Sequence, residues 1–143
     1  MIMAEERTLI LVKPDGVEAG HIGEVITRLE RRQYTISALK VIQATPELLA
    51  QHYAPHVGKP YYPAMQSYMM EKPLVAIIAS GDDVVAQFRR MAGNTKPDEA
   101  PIGTIRGDFA RSWGPGPIRN VVHSSDSEES ADREMRIWFP ELF

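Results

Sequence analysis

PLVAIIA, residues 73–79, is an unbroken apolar run of strand length, rich in β-branched residues and opened by a proline. Such a run predicts a buried strand. A second run of this kind lies near the start, TLILVK at 8–13, and is closed by the turn signal Pro14-Asp15-Gly16. YTISALKVIQ at 34–43 reads as a third strand, and RNVVH at 119–123 as a fourth.

Helical spacing fills the intervals. Ile22, Val25, Ile26 and Leu29 share one face over 22–32. Thr45-Pro46 is an N-cap followed by proline at the first helical position, which predicts a helix to about Tyr53. A short helix is expected over 60–70 with Met65, Tyr68 and Met69 inward. Another, capped by Asp82 or Asp83, carries Val84, Phe88 and Met91. Ser125-x-x-Glu128 and Asp126-x-x-Glu129 both fit a capping box for a last helix over about 127–139, with Ala131, Met135 and Trp138 on one face. Residues 92–118 read as a long irregular loop rich in Gly and Pro. The outline is an α+β sandwich with helices on one face of a four-stranded sheet.

The chain has 143 residues, enough for one domain, 1–143, with a real core. Its net charge of −3 argues against a general attraction to nucleic acid or anionic membrane. The absence of cysteine excludes disulfides and thiolate metal sites and suits a cytoplasmic location. The N-terminus, MIMAEERTLILVK, is too short in its apolar run for a signal segment or a membrane span.

His123 stands where the fourth strand runs into a helix start. It either hydrogen-bonds to the helix cap, or faces an anion held by the backbone N–H groups there. Lys13, Arg89, Arg106 and Arg119 are the candidate cations; each alone reads as a surface charge, but Lys13 and His123 both end predicted strands, where ligands gather. GTIRGDF at 103–109 sets Arg106 among glycines that let backbone approach a ligand. No phosphate-binding glycine loop of the G-x-x-x-x-G-K-[ST] kind is present. His52 and His56 have i, i+4 spacing but no acidic third ligand nearby, so no metal site is assigned to them. Tyr61 and Tyr62 read as core, with a base-stacking ring as the alternative.

Together, ERTLILVKPDGV (6–17), HYAPHVGKPYY (52–62), APIGTIRGDF (100–109) and RNVVHSSDSEESADRE (119–134) resemble the nucleoside diphosphate kinase family, in the family's order and over nearly the whole chain. The resemblance implies a ferredoxin-like α/β sandwich with a four-stranded antiparallel sheet. It implies ping-pong phosphoryl transfer through a phosphohistidine on His123, with broad base tolerance. It further implies that Glu134 holds the other imidazole nitrogen. Lys13, Tyr53, Arg89, Thr95, Arg106 and Asn120 would bind phosphate and ribose, and Tyr61 would stack on the base. Mg2+ would travel on the nucleotide phosphates, with no protein metal site. The partners implied are nucleoside tri- and diphosphates and further copies of the chain, as hexamer or tetramer; neither membrane nor nucleic acid is required. Ser124 replaces the family's usual glycine, Lys96 its usual asparagine, Ile102 stands where proline is expected, and the stretch from Arg106 to Asn120 is longer than usual. Trp113 in that stretch is expected at a subunit contact or beside the base pocket. The rival readings are a nucleotide-binding regulator without turnover and a ferredoxin-like RNA-binding module; the matched residues oppose the first, and the acidic balance and lack of an RNP-type aromatic strand oppose the second.

Overall fold

The computed structural model describes residues 5–143. The first residues of the N-terminal stretch lie outside that range. Four strands form one antiparallel sheet: β1 (Arg7–Val12), β2 (Thr35–Ile42), β3 (Leu74–Ser80) and β4 (Val122–Ser124), in the order β2-β3-β1-β4. This is the ferredoxin-like order. The two apolar runs are the two central strands, and every residue of β3 is buried. The edge strand β2 alternates exposed and half-buried side chains instead.

Helices cover both faces, not one as the outline predicted. Ile10, Val12, Val75, Ile77 and Ala79 face α2 (Ile22–Arg31) and α5 (Val84–Ala92), through Val25, Leu29, Val84 and Phe88. Leu9, Leu11, Leu74, Ala76 and Ile78 face α3 (Pro46–His52), α4 (Tyr62–Met69) and α7 (Glu128–Trp138), through Leu49, Tyr68, Met69, Met135 and Trp138. A continuous apolar strand demands two covers, and the helices on both faces supply them.

Thr45 caps α3 as expected, its side chain accepting from Leu48 N at 3.1 Å, a contact worth about 1 kcal/mol. Two other caps differ. Asp83 precedes α5 in a left-handed conformation and makes no side-chain cap; Glu6 Oε2 instead accepts from Val85 N at 2.9 Å, across from the start of β1. The cap of α7 is Ser127, whose side chain accepts from Ser130 N, because Ser125 is buried and engaged elsewhere.

Pro14-Asp15-Gly16 opens a short helix, α1 (Pro14–Glu18), rather than a simple turn. The expected long loop is also partly folded: α6 (Ile105–Phe109) lies within it, capped by Thr104. Gly107 is required there, since a Cβ would fall 1.9 Å from Pro101 O. Arg28 ties the segment down through Asp108 at 2.7 Å and Gly103 O at 2.9 Å. Among the described residues no helix is long and apolar enough to cross a membrane.

Candidate active site

The C-terminal end of β1, the short β4 and the start of the loop after α5 converge. Lys13 follows β1 and its Nζ donates to Asn120 Oδ1 at 2.9 Å; Asn120 Nδ2 donates to Thr95 O at 3.0 Å. A cleft of about 610 Å3 opens beside them, lined by Lys13, Tyr53, Tyr61, Thr95 and Asn120, with Met65, Pro117 and Ile118 completing an apolar wall. Five of the residues singled out from the sequence therefore share one cavity. Tyr61 is half exposed, and its Oη lies 2.5 Å from His56 Nδ1, so it is not the core residue that periodicity favoured; the adjacent Tyr62 is. Met65 likewise lines the cleft.

His123 stands on β4, three residues beyond the cleft residue Asn120. Its Nε2 donates to Glu134 Oε1 at 2.8 Å, and the same oxygen accepts from Ser125 Oγ at 2.7 Å. Glu134 is buried on α7, so the carboxylate is fixed by packing as well as by two donors. Nδ1 is thereby left as the ring nitrogen with a free lone pair. Burial lowers the imidazole pKa below its ordinary value, against the pull of Glu134, and the charge of Lys13 adds to the lowering. The ring is neutral at pH 7, oriented, and nucleophilic at one nitrogen.

Two cations, Lys13 and Arg106, lie near enough for their charges to act on that ring. Burial and the nearby Arg106 charge bring Lys13 down to about 8, so it is still mostly charged at neutral pH. Arg106 is buried; its Nε donates to Asn120 O, and its two other nitrogens to Gly93 O and Val122 O. Three of the five guanidinium N–H donors are thus committed to backbone among the described residues, and the remainder are available to an anion. Arg89 is exposed on α5 and does not line the cleft with Lys13, but its charge reaches both Arg106 and Asp126. Arg119 is held apart, paired bidentately with Glu71 and stacked over Tyr68.

Ser125 and His52 stand beside His123 in roles other than those read from the sequence. Ser125 was read as a cap, although two residues along a strand from His123 puts it on the same side. His52 is buried; Trp138 Nε1 donates to its Nδ1 at 3.0 Å, and its ring packs edge-on against His123 at 4.6 Å. Burial holds His52 neutral, with a pKa well below the ordinary value. His52, His123 and Glu134 bring ligand atoms within 4.8 Å of one another. Glu134 Oε1 already accepts from His123 and Ser125, His52 Nδ1 accepts from Trp138, and a nitrogen-rich set does not suit Mg2+, which takes oxygen ligands. Trp113 is exposed and stacks on Arg111 at 3.6 Å, away from the cleft; Gly116, Pro117 and Ile118 of the same loop reach it instead.

A family model described as nucleoside diphosphate kinase matches residues 6–142. The nucleoside diphosphate kinase of Exiguobacterium sibiricum is 48% identical over 134 residues, covering 94% of each chain. That of Saccharomyces cerevisiae is 48% identical over 134 residues, covering 94% of this chain and 85% of its own. The crystal structure of a nucleoside diphosphate kinase family protein from Babesia bovis superposes with a TM-score of 0.88 at 39% identity, over 95% of this chain and 90% of that one. The chain belongs to the nucleoside diphosphate kinase family, enzymes that move a phosphoryl group between nucleoside tri- and diphosphates.

Proposed function

We propose that the reaction runs by a ping-pong mechanism through a phosphohistidine on His123. The single observation that carries this reading is the Glu134–His123 contact at 2.8 Å, which occupies Nε2 and leaves Nδ1 as the nucleophile. In the first half-reaction the Nδ1 lone pair attacks the γ-phosphorus of a nucleoside triphosphate. The bond to the β,γ-bridging oxygen breaks, and its electron pair leaves with the diphosphate. A second diphosphate then takes the phosphoryl group by the reverse step, restoring the neutral ring.

The chain's own contribution is position and charge. Lys13, Arg106 and Arg89 offset charge on the phosphates, with Tyr53 and Thr95 beside them. Asn120, with Lys13, holds the ribose end. Tyr61 offers a stacking face, and the apolar wall of Met65, Pro117 and Ile118 supports broad base tolerance because it reads no hydrogen-bond pattern. Mg2+, carried by the nucleotide phosphates, would neutralise further charge; the site offers it no carboxylate cage. The enzyme acts in the cytoplasm as a homo-oligomer, hexamer or tetramer. Leu39 and Val41, exposed on the open edge of β2, support such assembly.

Incubation with γ-labelled ATP tests the reading. The wild type takes up acid-labile label, and His123→Ala takes up none while keeping its fold. Normal labelling of His123→Ala overturns the assignment.

A further inference from the structure

The backbone immediately before His123 is held in a conformation that its sequence disfavours. Val121 has φ 71°, the left-handed region, although it is β-branched. Val122 N donates to Asn120 O at 2.8 Å, across Val121 alone. A positive φ with that i, i+2 hydrogen bond is a γ-turn of the rare, strained hand. Such conformations persist only when their surroundings impose them.

The restraints are identifiable. Val121 N donates to Asp15 Oδ2 at 3.0 Å, and Val121 O accepts from Lys13 N at 2.8 Å. Asp15 Oδ1 accepts from the buried Tyr68 Oη, which anchors the carboxylate to α4. Gly16 closes the space: a Cβ there would lie 2.9 Å from Val121 O and 3.0 Å from Val121 Cγ1. The turn separates two parts of the site. On one side Asn120 meets Lys13 and Thr95; on the other, β4 pairs with β1 in the register Val12↔Val122 and Leu11↔His123. Arg106 spans the turn, bonding Asn120 O and Val122 O.

The geometry points to Asp15 as a positioning residue for phosphoryl transfer: by clamping the Val121 amide it enforces the strained γ-turn that sets Asn120 and His123 at their working offset. A relaxed, extended Val121 would move one of them relative to Lys13. Asp15 touches neither nucleotide nor phosphate in this scheme and acts only through the turn. The inference rests on His123 being the nucleophile, but ADP affinity reads the turn's effect on Asn120 and Lys13 without depending on that role.

The test is release of the strain. Glycine adopts positive φ freely, so Val121→Gly removes the need for a clamp. Asp15→Ala is expected to lower ADP affinity and kcat together, with kcat/KM down about tenfold or more, as for other small misplacements. Asp15→Asn, which keeps an acceptor for Val121 N, should stay within about threefold of wild type by the same reasoning. The double variant Asp15→Ala/Val121→Gly should recover most of the loss. A general structural role for Asp15, or a purely electrostatic one on Lys13, predicts the opposite, because glycine restores no charge and loosens the chain further. If Asp15→Ala alone does not fold, a folded and active double variant is the supporting result. A double variant no better than Asp15→Ala in ADP affinity and kcat/KM overturns the inference.

Discussion

Lys13 shows how a single residue can be tuned by its neighbours. A lysine brought down to about 8 by burial and by Arg106 is charged below that pH and neutral above it. The free enzyme should therefore lose kcat/KM as pH rises past about 8, since that parameter reports the free enzyme's groups. Bound phosphate favours the charged form, so the limb in kcat should lie higher. Lys13→Arg should lack the limb whatever its absolute rate, and a profile unchanged in that variant assigns the limb to another group. Lys13, His123 and Glu134 were legible in the sequence as candidates, because they sit in motifs. Their supports were not. Ser125, His52 and Asp15 act through distances that fold the chain back over 116, 71 and 106 residues, and no local pattern announces such contacts.

At the scale of elements, the sequence spoke most clearly where burial dominates. Both central strands, α2, α3 and α7 came out near their observed bounds because apolar spacing sets them. Helix starts were less legible. Ser125 and Asp126 both fit a capping box before α7, but the cap is Ser127, while Ser125 is buried against Leu9 and Glu134. In the loop after α6, Trp113 stands away from the cleft, and glycines turning at φ 86° and 117° present Pro117 and Ile118 to it. Removing Ser112 to Pro117 with a short bridging turn should thus open the apolar wall. The expected outcome is a rise in nucleotide KM exceeding any change in the rate of phosphoryl transfer from bound ATP, measured by single-turnover kinetics. Equal KM in the shortened and full-length proteins would remove the loop from the binding wall.

For the molecule as a whole, two imidazoles with lowered pKa values make acid a destabilising condition. His52 and His123 both have pKa values below the ordinary histidine value, chiefly through burial. The unfolded chain takes up their protons near pH 6.5 while the folded one resists, so stability is full above that pH and falls as pH drops below it, by up to about 1.4 kcal/mol per pH unit for each group. The urea midpoint should fall between about pH 7.5 and about pH 5.5, and His52→Gln should flatten that dependence. An equally steep dependence in His52→Gln would place the acid sensitivity elsewhere.

The strand order also sets a timetable. β1, the first strand synthesised, lies between β3 and β4, and its neighbour β4 arrives 110 or more residues later. Contacts of such separation close late in folding. A nascent chain can assemble β1, β2 and β3 into a three-stranded sheet while one edge of β1 stays unpaired, exposing an apolar template to other chains. His123 enters with the strand that seals this edge, and Glu134 with the helix that follows. On the role proposed for His123, the nucleophile and the strand that covers this edge are thus supplied by the same late stretch of the chain.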